Sequence, residues 1–332
     1  MDVDYWSFIF QITWFDESRQ RGVFVKIPRF DWRNDSMSHA IADPIACNMG
    51  LTEFRSLSLL ASLAQEIDDV KPIKALAYYP EWNAILTERV DAIDIYTLIR
   101  KSYLPFGMLV KENQTRSREW VYRLGAWLAR IHNHTNYSWM SSVCTKEYAS
   151  ELMAFSIEII ERCSDVRRLE RLINRISNYE LSGTQAKVLN PEGFEIRNVI
   201  LEHSTDNLYV LDPGDSKAVP IFESLAHFLV SLDILYWGSF LFLFRWKPNR
   251  TLEMSFLRGY FGDGKIPYEW LEFYKVKEFL KHWKDACVVL QEKNFNLLIY
   301  IFFRKFYVDG FYFREIENSL EHLEKMTSTS WR

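Results

Sequence analysis

The sequence predicts an α+β chain of two lobes, a small antiparallel sheet followed by a mostly helical body. Three observations predict it. Residues 1–90 carry runs of β-branched and aromatic side chains with period-2 alternation and one helical stretch. Beyond them apolar residues recur at helical spacing, as in Trp120, Leu124, Trp127, Leu128 and Ile131. Inside this helical region a pair of short strand-like segments, 199–201 and 208–211, flanks the polar turn His203-Ser204-Thr205-Asp206.

The elements follow in order. Residues 7–15 and 22–27 read as an antiparallel hairpin closed by the polar stretch 16–21. Alternation along the second strand puts Val23, Val25 and Ile27 on one face, and Phe24 and Lys26 on the other. A helix is expected over 51–65, with Thr52 as its N-cap and Glu53 in its first turn. Residues 84–87 form a short apolar strand that runs into Glu88-Arg89-Val90 and a polar exit, where the lobe boundary is placed, giving 1–90 and 91–332. The long helix through Trp120 ends at His132-Asn133-His134, whose imidazoles are expected as partners of the helix C-terminus. Helical stretches near 151–163 and 165–180 precede a change of period at Lys187. After Ile221 the chain reads as helical and aromatic.

Composition bounds the function. The 332 residues are 48% hydrophobic, enough for a sizeable core. A net charge of -4 supplies no positive field for nucleic acid. Cys47, Cys144, Cys163 and Cys287 are scattered without metal-site spacing, which fits a reducing, cytoplasmic setting. The acidic opening Met1-Asp2-Val3-Asp4 lacks the basic start of an export signal. The apolar run 228–244 contains Asp233 and two serines and falls short of the ~20 residues of a membrane span, so a buried helix is expected there. H-E-x-x-H, G-x-S-x-G, G-x-G-x-x-G and P-loop sequences are missing, and with them metalloprotease, hydrolase, dinucleotide and Walker-type chemistry.

One constellation remains. A hairpin turning near Thr205 brings Asn198 across from Asp212, two hard oxygen donors of the kind magnesium takes; plain strand-end capping is the other use of such residues. Lys26, Glu53, the crossing at Glu88 to Val90, and this hairpin then occur in the order a phosphotransferase needs.

Those residues resemble the aminoglycoside phosphotransferase and choline kinase family, over most of the chain. Val23-Phe24-Val25-Lys26 looks like its strand whose lysine holds nucleotide phosphates, and Glu53 is placed like the glutamate that pairs with it. Ile85-Leu86-Thr87-Glu88-Arg89-Val90 looks like the hinge that meets adenine, and the helix ending Ala129-Arg130-Ile131-His132 like the one before the catalytic loop. Phe194-Glu195-Ile196-Arg197-Asn198 and Val210-Leu211-Asp212-Pro213-Gly214 resemble the catalytic-loop end and the metal motif. The resemblance implies a two-lobed protein kinase-like fold with ATP and Mg2+ as cofactors. It also implies transfer of phosphate to a hydroxyl of a small molecule or glycan.

The chain departs from that family at defined places. The family's loop reads H-G-D-F-x-x-x-N, and Gly193 stands where its aspartate would take the acceptor's proton. Glu192, one position earlier, is the replacement base this sequence offers first, with Glu195 a weaker candidate because it sits beyond Phe194. Ser224 stands where a supporting aspartate is expected, and the opening before Gly22 has no glycine and little room for a first strand or a phosphate-covering turn. The alternative to an active enzyme is a catalytically impaired pseudokinase that binds nucleotide or a protein partner. Trp237, Tyr260, Trp270 and Tyr274 are either an acceptor-stacking wall or core.

Overall fold

The structure is a computed structural model of the chain. It describes residues 2–4, 7–16, 19–30, 36–64, 69–102, 111–135, 138–141, 151, 152, 154, 155, 159, 165–177, 179, 184–236, 249–292, 305 and 308–330. Cys144, Cys163, Trp237, the far end of the apolar run and most of the stretch near 151–163 lie outside these residues.

In chain order the first elements are β1 (Asp2–Asp4), β2 (Ser7–Asp16), β3 (Arg19–Pro28), α1 (Met37–Ala42) and α2 (Pro44–Leu63). β4 (Val70–Pro72), β5 (Ala75–Tyr79), β6 (Ala84–Glu88), β7 (Ala92–Asp94), α3 (Ile95–Ser102) and α4 (Lys111–His134) follow. Next come β8 (Ser138–Ser141), α5 (Val166–Ser177), β9 (Thr184–Pro191), β10 (Val199–Glu202), β11 (Leu208–Val210) and β12 (Ser216–Pro220). The chain ends with α6 (Ile221–Asp233), α7 (Asn249–Phe261), α8 (Tyr268–Glu292) and α9 (Gly310–Ser330). The predicted α+β class holds.

Packing groups the chain into two compact units, Met1–Thr135 with Leu189–Ala218 and Ser255–Tyr260, and Asn136–Val188 with Val219–Met254 and Phe261–Arg332. The first unit contains an antiparallel sheet in the order β1-β2-β3-β6-β5. The predicted hairpin is there, but its ladder runs on to Asp16↔Arg19, because Arg19, Gln20 and Arg21 pair although they are polar. A first strand does fit: three residues suffice for β1 to pair with Ser7, Phe8 and Ile9. On one face of this sheet Phe8 and Ile27 pack with Ala40 of α1, and on the other Ile85, paired with Lys26, clusters with Ile73 and with Leu57 of α2.

Helix α2 begins seven residues before its predicted start. Asp43 is the N-cap, its carboxylate accepting from Ile45 N at 2.9 Å, and Pro44 supplies the first helical φ. Thr52 and Glu53 are therefore helix interior rather than cap and first turn. A second sheet of the first unit has the order β4-β11-β10-β7, with β4 parallel to β11. Arg123 of α4 braces it by donating to Asp69 O at 2.6 Å and Asp206 O at 2.9 Å while pairing with both carboxylates.

In the second unit β8 pairs with β9, and α5, α6, α8 and α9 surround an aromatic core in which Trp283 stacks on Tyr312 at 5.9 Å. Residues 225–232 of α6 are buried, as expected of that apolar run, and no helix among the described residues is long and apolar enough to cross a membrane. Among the described residues of this unit Lys277 lies 2.9 Å from both Glu223 and Glu151, and His227 Nδ1 2.8 Å from Glu278.

His134 fits its predicted place, bonding Arg130 O at 2.8 Å, but His132 does not act as a charged helix-end partner. It is buried against Tyr260 with Nδ1 2.7 Å from the hydroxyl, and burial pulls its pKa down to about 3. Unfolded, the imidazole titrates near its ordinary value of 6.5. Between those two values unfolding takes up a proton, so stability falls as pH falls through this window. Chemical denaturation from pH 7 to 4 should show this loss at a slope approaching about 1.4 kcal/mol per pH unit, and His132→Phe should flatten it.

Helices α4 and α7 touch backbone to backbone: a Cβ on Gly125 would sit 2.1 Å from Phe256 O, and one on Gly259 2.0 Å from Tyr122 O. Either Gly125→Ala or Gly259→Ala must push the helices apart. A loss of about 1–3 kcal/mol in denaturant unfolding is expected for each, although alanine is the better helix former.

Candidate functional site

The site is built in the first unit around Lys26. Strand alternation turns this side chain toward α2, and its ammonium lies 2.9 Å from Glu53 Oε1 and 2.9 Å from Asp212 Oδ2. Lys26 is 18% exposed and Glu53 9%, so this is a charge taken largely out of water and compensated twice. Burial works to strip the lysine of its proton, but the two carboxylates outweigh it and hold the pKa above its ordinary value. Burial pushes the Glu53 carboxyl up, with Lys26 pulling it down and Asp212 adding to the rise. Asp212 is 46% exposed, and the lysine contact uses its Oδ2.

Asp212 stands in the left-handed region, φ 44°, which an L-residue other than asparagine or aspartate rarely occupies. The register of the hairpin differs by one from the prediction. Val199 pairs with Val210, so Asn198 lies across from Leu211, whose N–H donates to Asn198 O at 2.7 Å. Asp212 is thereby the first residue past the paired end, where the chain is free to turn.

The loop before Asn198 is anchored by Phe194, buried against Trp127 of α4 with ring centroids 5.2 Å apart. Asn198 Nδ2 donates to Gly193 O at 2.8 Å, and Gly193 N donates to Pro213 O at 3.0 Å. A Cβ on Gly193 would lie 1.9 Å from Asp212 O. Glycine here is thus a steric condition for the two loops to meet.

Of the remaining expected residues, Glu192 N donates to Asp215 O at 3.3 Å, and its carboxylate lies 3.5 Å from Lys217 Nζ. Lys217 and Asp215, 3.1 Å apart, are neighbours of the site that sequence reasoning misses; the second acid of Asp212-Pro213-Gly214-Asp215 is the available signal. The Asp215 carboxylate bonded to it raises the Lys217 pKa. Glu88 closes β6, its N–H donating to Lys74 O at 3.0 Å and its carboxylate accepting from Lys74 N at 2.9 Å. Val90 packs on the Leu57, Ile73 and Ile85 cluster that also receives Leu211. Tyr260 is the partner of His132, and Trp270 and Tyr274 are buried in the second unit's core. Ser224 is buried as well.

The donor set fits a magnesium ion in kind: one half-exposed carboxylate, and an asparagine whose nitrogen is committed to Gly193 so that Oδ1 is left as acceptor. A lysine beside it, held charged, suits phosphate.

No family model and no curated protein matches the chain. Among solved structures, a protein from Ralstonia eutropha provisionally assigned as an aminoglycoside phosphotransferase is similar with a TM-score of 0.54 at 11% identity, over 96% of this chain and 93% of that one. A choline/ethanolamine kinase family protein from Mesorhizobium loti gives 0.48 at 10% identity, over 93% and 92%. An ethanolamine kinase from Plasmodium vivax gives 0.49 at 11%, over 93% and 78%. The first of these is a likeness of fold, and the chain has a kinase-like fold.

A Gly193→Asp substitution puts a carboxylate where the resembled motif H-G-D-F-x-x-x-N carries one. Its Cβ has no room, so the expected result is a lowered melting temperature and no gain of activity, read by calorimetry and by nucleotide turnover.

Proposed function

We propose that the chain is an ATP- and magnesium-dependent phosphotransferase acting on a hydroxyl of a small molecule or glycan. The observation that carries this reading is Lys26 held 2.9 Å from both Glu53 and Asp212. On it, residues 1–90 serve nucleotide binding, and 91–332 contribute the catalytic-loop and metal-binding hairpin. MgATP, when bound, supplies the transferable phosphoryl group and the charge that stabilises its transfer.

The chain's own residues would divide the remaining work. Lys26 meets phosphate oxygens, exchanging its contact with Asp212 for them, while Glu53 keeps the ammonium charged and aimed. Asp212 and Asn198 hold the metal through oxygen. The backbone from Glu88 to Val90 meets the adenine edge, beside the apolar cluster of Leu57, Ile73 and Ile85. Glu192 is the proposed base; its backbone is tied to Asp215, and Lys217 is within 3.5 Å of its carboxylate. Cys47, a free thiol that donates to Ile41 O, supports a reducing, cytoplasmic setting.

Gly193 favours a second reading in which nucleotide binds without transfer. Its close contact with Asp212 leaves no space for the family's aspartate, so proton removal falls to Glu192 or is lost.

Calorimetric titration with ATP and magnesium tests the site before any acceptor is known. Magnesium-dependent binding is expected in the wild type and a loss of at least about tenfold in Lys26→Ala and Asp212→Ala. Absence of binding in the wild type refutes both readings. Where an acceptor is phosphorylated, Glu192→Gln should lower turnover by about a hundredfold or more if Glu192 is the base, and leave it unchanged if it is not.

A further inference from the structure

The second unit holds a cavity of about 620 Å3 framed by the end of α6, the start of α7, and α8 and α9, and none of Lys26, Glu53, Asn198 or Asp212 lines it. Its volume falls within the roughly 300–1,000 Å3 of small-molecule sites. What such a site accepts depends on which of its polar groups are already committed.

The charged groups of the lining are largely engaged with protein partners. Lys275, 8% exposed, lies 2.9 Å from Asp233 and 3.3 Å from Glu253. Glu272 has His322 at 3.4 Å and a hydrogen bond from Ser319. Glu315 is 3.0 Å from Arg314, and Lys325 is 3.8 Å from Glu321. An ionic ligand therefore has to displace a protein counter-charge before its own charge is matched, which is a bias against ions of either sign.

Two polar side chains stand outside these pairs. Asn318, half-buried on α9, and Arg250, exposed at the start of α7, make no side-chain hydrogen bond or ion pair with the described residues. Three positions after Arg250 on the same helix, Glu253 meets Lys275 through Oε1 and is 21% exposed. A carboxylate offers about four lone-pair sites, so Glu253 keeps acceptor capacity although its charge is matched. The three residues supply a donor fork, an amide that both donates and accepts, and an acceptor. Met254, Tyr268 and Phe279 add apolar surface, and the Tyr268 hydroxyl donates to Met254 Sδ at 3.1 Å.

We infer that this cavity binds a neutral cyclic polyol of the monosaccharide class, with its hydroxyls on Arg250, Asn318 and Glu253 and the C–H face of its ring against the apolar wall. Each hydroxyl donates one hydrogen bond and accepts others, which answers a mixed set of donors and acceptors, whereas an ammonium only donates and a carboxylate only accepts. The exposed charge of Arg250 attracts an anion weakly through water. An uncharged ring leaves the existing ion pairs intact. This site is additional to the Lys26 cluster and does not rest on the phosphotransferase reading.

The test uses the full chain and three neutral hexoses, glucose, galactose and mannose, each beside its own amino sugar and its own uronate. Calorimetry should show the best-bound hexose at least about tenfold tighter than either of its charged analogues. Asn318→Leu and Arg250→Met remove no hydrogen bond or ion pair of the protein itself, and each should weaken that hexose at least about fivefold. Lys26→Ala should leave its affinity unchanged. Absence of binding by every hexose at about 10 mM, a charged analogue bound as tightly as its hexose, or an unchanged affinity in either variant overturns the inference. Arg250→Met, at an exposed position, decides alone if Asn318→Leu fails to fold.

Discussion

A largely buried ammonium at Lys26 is the constraint around which the first unit is arranged. An unpaired charge in such a place would cost several kcal/mol, and two carboxylates reached from different stretches of the chain offset that cost. Glu53 comes from a helix that must start at Asp43 and Pro44 to carry it past the strand. Asp212 comes from the residue just beyond a hairpin nearly two hundred positions later in sequence. The sheet, the long helix α2 and the hairpin therefore share one electrostatic requirement, and removing either acid leaves the lysine dependent on the other.

The second organising contact is between backbones. Gly193, Pro213 and Asn198 join the two loops through hydrogen bonds, and the missing Cβ of Gly193 lets the Asp212 carbonyl come where a side chain would be. The departure at Gly193 is thus more than a lost carboxylate. It belongs to how this site is closed, and any base must come from a neighbour such as Glu192, whose own backbone is tied to the same loop.

What can be read from the sequence is what depends on local periodicity. Alternation puts Lys26 on the correct face, and helical spacing puts Trp127 where it receives Phe194. The misread features depend on signals of another kind. Apolar spacing sets the start of α2 too late, because the cap and proline that fix it, Asp43 and Pro44, precede the first apolar repeat. The hairpin register slips by one because a turn of several polar residues does not define its own closing pair. His132 reads as a helix-end charge because the burial that keeps it neutral is made with residues distant in sequence, Tyr260 among them. Gly193 reads as an absence because close approach of two loops leaves no trace in either loop alone.

The left-handed backbone at Asp212 puts two demands on one residue. Glycine would adopt that conformation with less strain, and asparagine about as well as aspartate, yet neither brings the negative charge that Lys26 requires. Backbone ease and charge compensation thus favour different amino acids at this position, and aspartate meets the second at some expense to the first. Drift toward a more comfortable turn would be felt first by the lysine, as a loss of its second counter-charge, before the fold itself registered any change.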